Sequence, residues 1–238
     1  MNTDTSTVQL FGLSFSQTKL NAVAGILGIY ALGIFLTWYI SVILQPPMPE
    51  SIVGRSAVNA LVQTVGTIMI PFIWAIRRLN FSLKDLGVTS ENLTRSIVLG
   101  CLLYSLALAA FIHCSADPLI SNHVVGKLDL GNAMGMLASM SLIAAGTDFA
   151  TRSFMLLTLV RYASVPFAIF FQNLTWFLGH IQEINLLTNC LGFWTAVGLT
   201  LTLGILGDVI ALKTRNVLGL ALAHVLLNVV LTVYIRSL

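Results

Sequence analysis

Asp148 and Arg152 stand four residues apart in an otherwise oily run, Leu142 to Val160. His224 and Asn228 stand four apart in a second, "LGLALAHVLLNVV". In a helix that spacing puts both members of a pair on one face. An acid and a guanidinium so placed form a local ion pair, which lowers the cost of carrying either into lipid. A His and an Asn side by side in hydrocarbon need polar partners, which the helix carrying Asp148 and Arg152 can supply. His180, in "NLTWFLGHIQE", and Asp208 are further ionisable groups at bilayer depth. Each such group costs about 2.5–3.5 kcal/mol at a helix centre on insertion scales, so it faces a bundle interior and marks a functional site. The plainer readings stay open: Asp148–Arg152 as a purely structural pair, and His180 as a hydrogen-bonded packing residue. His113, His123, Glu183 and Lys213 fall nearer the ends of the apolar runs, where water is close.

The elements that must position these residues are membrane helices. Of 238 residues, 57% are hydrophobic and 9% charged, with a mean hydropathy of +0.91. A soluble domain carries about 25% charged residues, so a water-soluble globular enzyme is excluded. About 20 apolar residues cross the ~30 Å hydrocarbon core. Runs of that kind predict about seven spans, with six to eight as the range: 20–45, 60–76, 94–114, 133–160, 164–184, 186–212 and 216–235. The long runs at 133–160 and 186–212 leave room for tilt, a break or a re-entrant piece. No alternation over about ten residues suggests barrel strands. The expected organisation is a polar tail, 1–19, and one polytopic membrane domain, 20–238. The first run is too long for a signal-peptide core and ends in "QPPMPE" with no small-residue cleavage site, so it is read as a retained span.

Lys19, Arg77, Arg78, Lys84, Arg95, Arg161, Lys213 and Arg215 fall on one side of a seven-span arrangement, and Arg55, Lys127 and Arg236 on the other. That asymmetry predicts a cytoplasmic N-terminus and an outer C-terminus. The charges are scattered over short loops and form no basic stripe, so no nucleic-acid role is expected. Cys101, Cys114 and Cys190 form no CxxC pair and are read as small buried hydrophobes, not as a disulfide framework or metal cage. Helix rise places Thr147 about 10 Å and His224 about 12 Å from the inner face, but His180 about 15–24 Å. The three share one site only if the His180 helix starts late or tilts.

The polar residues form three short motifs in order. "TDFATR" spans Thr147 to Arg152, "WFLGH" ends at His180, and "HVLLN" spans His224 to Asn228. In this the chain resembles the CPBP family of intramembrane proteases, which includes the Rce1-type CAAX prenyl endopeptidases and the Abi proteins. Its motifs are Glu-Glu-x-x-x-Arg, Phe-x-x-x-His and His-x-x-x-Asn/Asp. "RRLNFSLKDLGVTSENLTRSIVLG" and "KTRNVLGLALAHVLLN" look like flanking elements of the same family, so the resemblance covers about residues 72–235. It implies an all-α CPBP/Rce1-like bundle and a glutamate-type site. The first glutamate and the motif-two histidine activate a water, the motif-three His and Asn hold the oxyanion, and the second acid and the Arg support them.

Carried over residue by residue, His180, His224, Asn228 and Arg152 are retained, the second acid is Asp148, and Trp176 replaces the aromatic Phe. The presumed base is replaced by Thr147, whose hydroxyl is no base at neutral pH. General-base catalysis contributes about 10²–10⁴-fold. The sequence therefore predicts a proteolytically impaired member that serves as a structural or assembly subunit of a larger membrane complex. The alternative is an active endopeptidase cutting a membrane-anchored protein or peptide, with Asp148 or Glu183 standing in as base. Membrane lipids are the expected surroundings and no cofactor is expected. A zinc set of His180, His224 and Asp148 is the secondary reading, with no HExxH spacing to support it.

Overall fold

The computed structural model describes residues 7–10, 13–44, 51–115 and 129–237. "QPPMPE", His123 and Lys127, which entered the span and charge readings, lie outside them. A short antiparallel hairpin, β1 (Thr7–Leu10) and β2 (Leu13–Ser16), leads, among the described residues, into eight helices. These are α1 (Gln17–Trp38, continued by a π-helical stretch to Leu44), α2 (Ile52–Leu79), α3 (Leu93–His113), α4 (Leu130–Tyr162), α5 (Val165–Gly179), α6 (Ile181–Leu191), α7 (Phe193–Thr214) and α8 (Val217–Ser237). Among the described residues, six segments are long and apolar enough to cross a membrane: Gln17–Ile43, Ile52–Leu79, Leu93–His113, Leu130–Tyr162, Phe193–Thr214 and Val217–Tyr234. The chain is an integral, multi-pass, all-α membrane protein. Large apolar side chains such as Phe35, Leu61, Leu102, Trp194 and Val233 point outward, as a lipid-facing surface requires.

The expected span at 164–184 is not one helix. It breaks at His180, where α5 ends and α6 begins. The cause is local. The His180 ring takes the Trp176 carbonyl through Nδ1 at 2.8 Å, while its own backbone N–H turns to Phe177 O. The side chain thus occupies the carbonyl that the next α-helical bond would use. Together α5 and α6 run antiparallel to α7. Asn173 meets Asp208, Trp176 meets Thr200, and Leu187 and Ala196 share an apolar cluster.

Small residues let the helices around the site approach closely. Added Cβ atoms at Gly100 and Gly219 would lie 2.7 Å from Ala223 and 2.5 Å from Ser96, so α3 and α8 lie almost backbone to backbone. Ser96 Oγ donates to Asn216 O at 2.7 Å across the same seam. The connection between α2 and α3 is fastened to the α7–α8 turn. Asn216 Nδ2 donates to the carbonyls of Thr89 and Glu91, and Val217 N–H to that of Gly87, whose φ of +73° a side chain would strain. The two flanking segments singled out in the sequence are therefore neighbours in space.

The reading of the cysteines is also overturned. Cys114 and Cys190 are joined as a disulfide, with Cα atoms 5.6 Å apart, and only Cys101 is free. The bond ties the end of α6 to the end of α3. Isolated positions 76 residues apart carry no local spacing by which a sequence could pair them.

Candidate functional site

Helix α4 changes from α to π geometry at Phe149, within the first motif, and returns to α at Leu157. Asp148 and Arg152 straddle that change and are fully buried. Arg152 Nη1 donates to Asp148 Oδ1. Tyr104, on α3, donates its hydroxyl to Asp148 at 3.1 Å and accepts from Arg152 Nη1 at 3.3 Å. His224 on α8 faces the same carboxylate, with Nδ1 at 3.0 Å from Oδ2, and stacks on Tyr104 at a centroid distance of 4.5 Å. A ring held by a carboxylate at Nδ1 keeps its proton there and leaves Nε2 free.

Arg152 reaches further. Its guanidinium lies 4.0 Å over the Trp176 ring, a cation–π contact that a buried setting strengthens. Trp176 in turn stacks on His180 with centroids 3.9 Å apart and donates its indole N–H to Thr200 O. The tryptophan in place of the motif's phenylalanine therefore bridges the first motif to the second. On the far side, Arg152 Nε sits 3.6 Å from Asp208 Oδ1, and Asn173 Nδ2 donates to Asp208 Oδ2 at 2.8 Å. Tyr104 and Asn173 carry no signal in the sequence. Asp208 was visible only as a charge at bilayer depth.

The two histidines line one cavity of about 230 Å³ with Tyr104, Trp176, Glu183 and Asn228. Their ring centroids are 6.5 Å apart. Because α5 begins early, at Val165, no late helix start brings His180 to His224; the setting of α5 against α7 does. Asn228 Nδ2 makes one long bond to Met140 O, at 3.4 Å. Apart from Gln182, Thr200 and Thr232 the rest of the lining is apolar, with Ala107, Phe111, Leu187, Leu199, Leu203 and Leu227 among it. This is the composition of a small-ligand site, an apolar pocket with a few convergent polar groups.

Thr147 is not among the lining residues. Its hydroxyl donates to Ile143 O, one turn back on its own helix, at 2.9 Å. The carboxylate that does line the cavity is Glu183, whose Oε2 is buried without a hydrogen-bond partner. Among the described residues, no group of three or more His, Cys, Asp and Glu is arranged to hold a metal ion. His180, His224 and Asp148 do not come together as a ligand set, since Asp148 already holds His224 Nδ1.

Residues 129–230 match the family described as type II CAAX prenyl endopeptidase Rce1-like. Over that segment the chain is similar to the Rce1-like family. The match begins at the N-cap of α4, Asp129, and ends within α8. It contains Thr147, Asp148, Arg152, His180, His224 and Asn228; Tyr104, supplied by α3, lies outside it. No curated protein and no solved structure matches the chain significantly. What the Rce1-like segment builds in this chain is a buried ion cluster behind two histidines that open onto one apolar cavity.

Proposed function

We propose that this Rce1-like membrane protein receives the end of a membrane-anchored chain in the cavity, and that it does not cut that chain by the motif-one route. The observation that carries the reading is the state of Thr147. It lacks a carboxylate, and its hydroxyl is committed to Ile143 O. The acid beside it, Asp148, is fully buried and engaged by Arg152, Tyr104 and His224, so it has no free lone pair aimed at a water in the cavity. The protein acts as a binding or assembly subunit for another membrane protein. At about 230 Å³, below the ~300–1,000 Å³ of typical ligand pockets, the cavity suits one or two side chains or a chain end.

The test uses the full chain in proteoliposomes and a fluorescent prenylated CAAX peptide. The expected result is saturable binding, lost on filling the cavity with Ala107→Trp, with the peptide recovered intact. Turnover of the peptide by the wild-type chain would overturn the reading.

One observation favours a second reading, an active endopeptidase. Glu183 lines the cavity that both histidines line, and its Oε2 has no hydrogen-bond partner. In that reading Glu183 takes a proton from a water, the hydroxide adds to the scissile carbonyl, the C–N bond breaks, and the leaving amine takes the proton back. Wild-type cleavage that Glu183→Gln abolishes would select it.

A further inference from the structure

We infer that Asp208 is a positioning residue for the two-histidine cavity, acting through Arg152. The assignment rests on the reading of that cavity as the functional site. Asp208 lines no part of it and touches neither histidine. It is fully buried on α7, on a face from which side chains have been removed. A Cβ at Gly207 would lie 2.2 Å from Arg152 Nη2, and one at Gly204 would lie 2.2 Å from Asn173 Oδ1. Gly207 makes room in α7 for the guanidinium and Gly204 for the Asn173 amide and the Trp176 ring, and Asp208 stands beside both.

Charge ties Asp208 to Arg152. Its Oδ1 has no hydrogen-bond partner, and neither does Arg152 Nε; the two face each other at 3.6 Å. Among the described residues no second cation is paired with Asp208, and Asn173 supplies its one hydrogen bond. A buried carboxylate without a counter-charge is unfavourable, so Arg152 is drawn toward Asp208 as well as toward Asp148. The guanidinium is thereby fixed between two acids.

From that position it controls both imidazoles by separate routes. Through Asp148 it sets the carboxylate that holds His224 Nδ1. Through the Trp176 face it sets the indole on which His180 stacks. Removing the charge of Asp208 releases the guanidinium toward Asp148 and away from its place over the indole. Both histidines then move, although neither has lost a contact of its own. A merely structural ion pair would weaken the fold and leave the rings where they are.

The test is histidine NMR on the full chain in nanodiscs, with ¹³Cε1-labelled His. In Asp208→Asn the ring signals of His180 and His224 are expected to shift together while that of His113 stays, and Asp208→Glu should return them toward the wild-type positions. Leu212→Ala, which loosens α7 against the core without touching Arg152, should lower stability and leave both signals in place. If Asp208→Asn does not fold, Asn173→Ala, which takes the hydrogen bond from Asp208 and keeps its charge, should shift the same two signals by less. Unmoved His180 and His224 signals in the folded variants, or equal shifts in Leu212→Ala, would overturn the assignment. The readout needs neither peptide nor turnover, so its failure is distinguishable from failure of the binding reading.

Discussion

His180 and His224 face each other across one cavity, their planes 16° from parallel and their centroids 6.5 Å apart. Neither ring holds the other. Each is anchored from behind at Nδ1, His180 by the Trp176 carbonyl and His224 by Asp148. One buried side chain, Arg152, reaches both anchors: it pairs with Asp148 and packs on the Trp176 ring. The pair of imidazoles is therefore only as well placed as that guanidinium, and the first prediction concerns it.

Arg152→Met is expected to cost about 3–5 kcal/mol, the usual penalty for removing one partner of a buried ion pair. It strands Asp148 and Asp208 together, both with no exposure to solvent. Arg152→Lys keeps the charge but cannot span Asp148, Asp208 and the backbone carbonyls of Leu203 and Gly204 at once, so it should fall between Met and wild type. Thermal unfolding in a single detergent, followed by circular dichroism, orders the three.

Two glycines on α7 give a controlled comparison. Gly207→Ala drives a methyl to 2.2 Å from Arg152 Nη2, whereas Gly198→Ala meets nothing within 4 Å. The first should destabilise by about 1–3 kcal/mol through overpacking; the second should leave the melting temperature unchanged or slightly higher. Equal effects would show that helix flexibility, not the guanidinium slot, sets the need for glycine.

The Cys114–Cys190 bond closes a long loop containing α4 and α5. Its loss is expected to cost about 2–5 kcal/mol. Reductant should lower the melting temperature of the wild type and have no effect on the Cys114→Ser, Cys190→Ser double variant. Disulfides persist in oxidising compartments, so the ends of α3 and α6 are expected on the outer side, as the charge asymmetry also predicts. A membrane-impermeant maleimide applied to intact cells after mild reduction should label Cys190, which is exposed. Labelling only after permeabilisation would reverse the orientation.

Asp85 lies in the connection between α2 and α3, outside the spanning helices. The Ser82 hydroxyl, at 2.7 Å, and the Ser82 backbone N–H, at 2.8 Å, both donate to its Oδ2 and hold its carboxyl below the ordinary range. A lowered folded-state pKa contributes stability above the unfolded value near 4, and that contribution disappears as the pH falls through the folded value. Protease nicking of the 80–92 connection should therefore rise below about pH 4 in the wild type. In Asp85→Asn it should already be raised at neutral pH and vary less with acid.

Much of this architecture was legible because the bilayer leaves few options. Backbone groups in hydrocarbon must pair within helices, so apolar run lengths alone announced a multi-pass helical protein. Ionisable residues are costly at that depth, so Asp148, Arg152, His180, Asp208 and His224 stood out as a group. Spacing of four along a helix paired Asp148 with Arg152 correctly. The break at His180 was not legible, because it comes from a side chain taking its own helix's carbonyl. The disulfide was not legible because nothing local relates Cys114 to Cys190.

The sequence by itself determined that this is a helical membrane protein with an Rce1-like order of polar residues and a threonine where that pattern wants an acid. Both follow from one-dimensional facts, the length of apolar runs and the identity of residues at short spacing. Only the tertiary structure decided which polar groups meet. It turned Thr147 back onto its own helix, brought Glu183 into the cavity, and set Arg152 between Asp148 and Asp208 in a slot left open by Gly207. The reason is that a buried charge takes its partner from whichever helix lies within a few ångströms, and that depends on helix packing rather than on spacing along the chain.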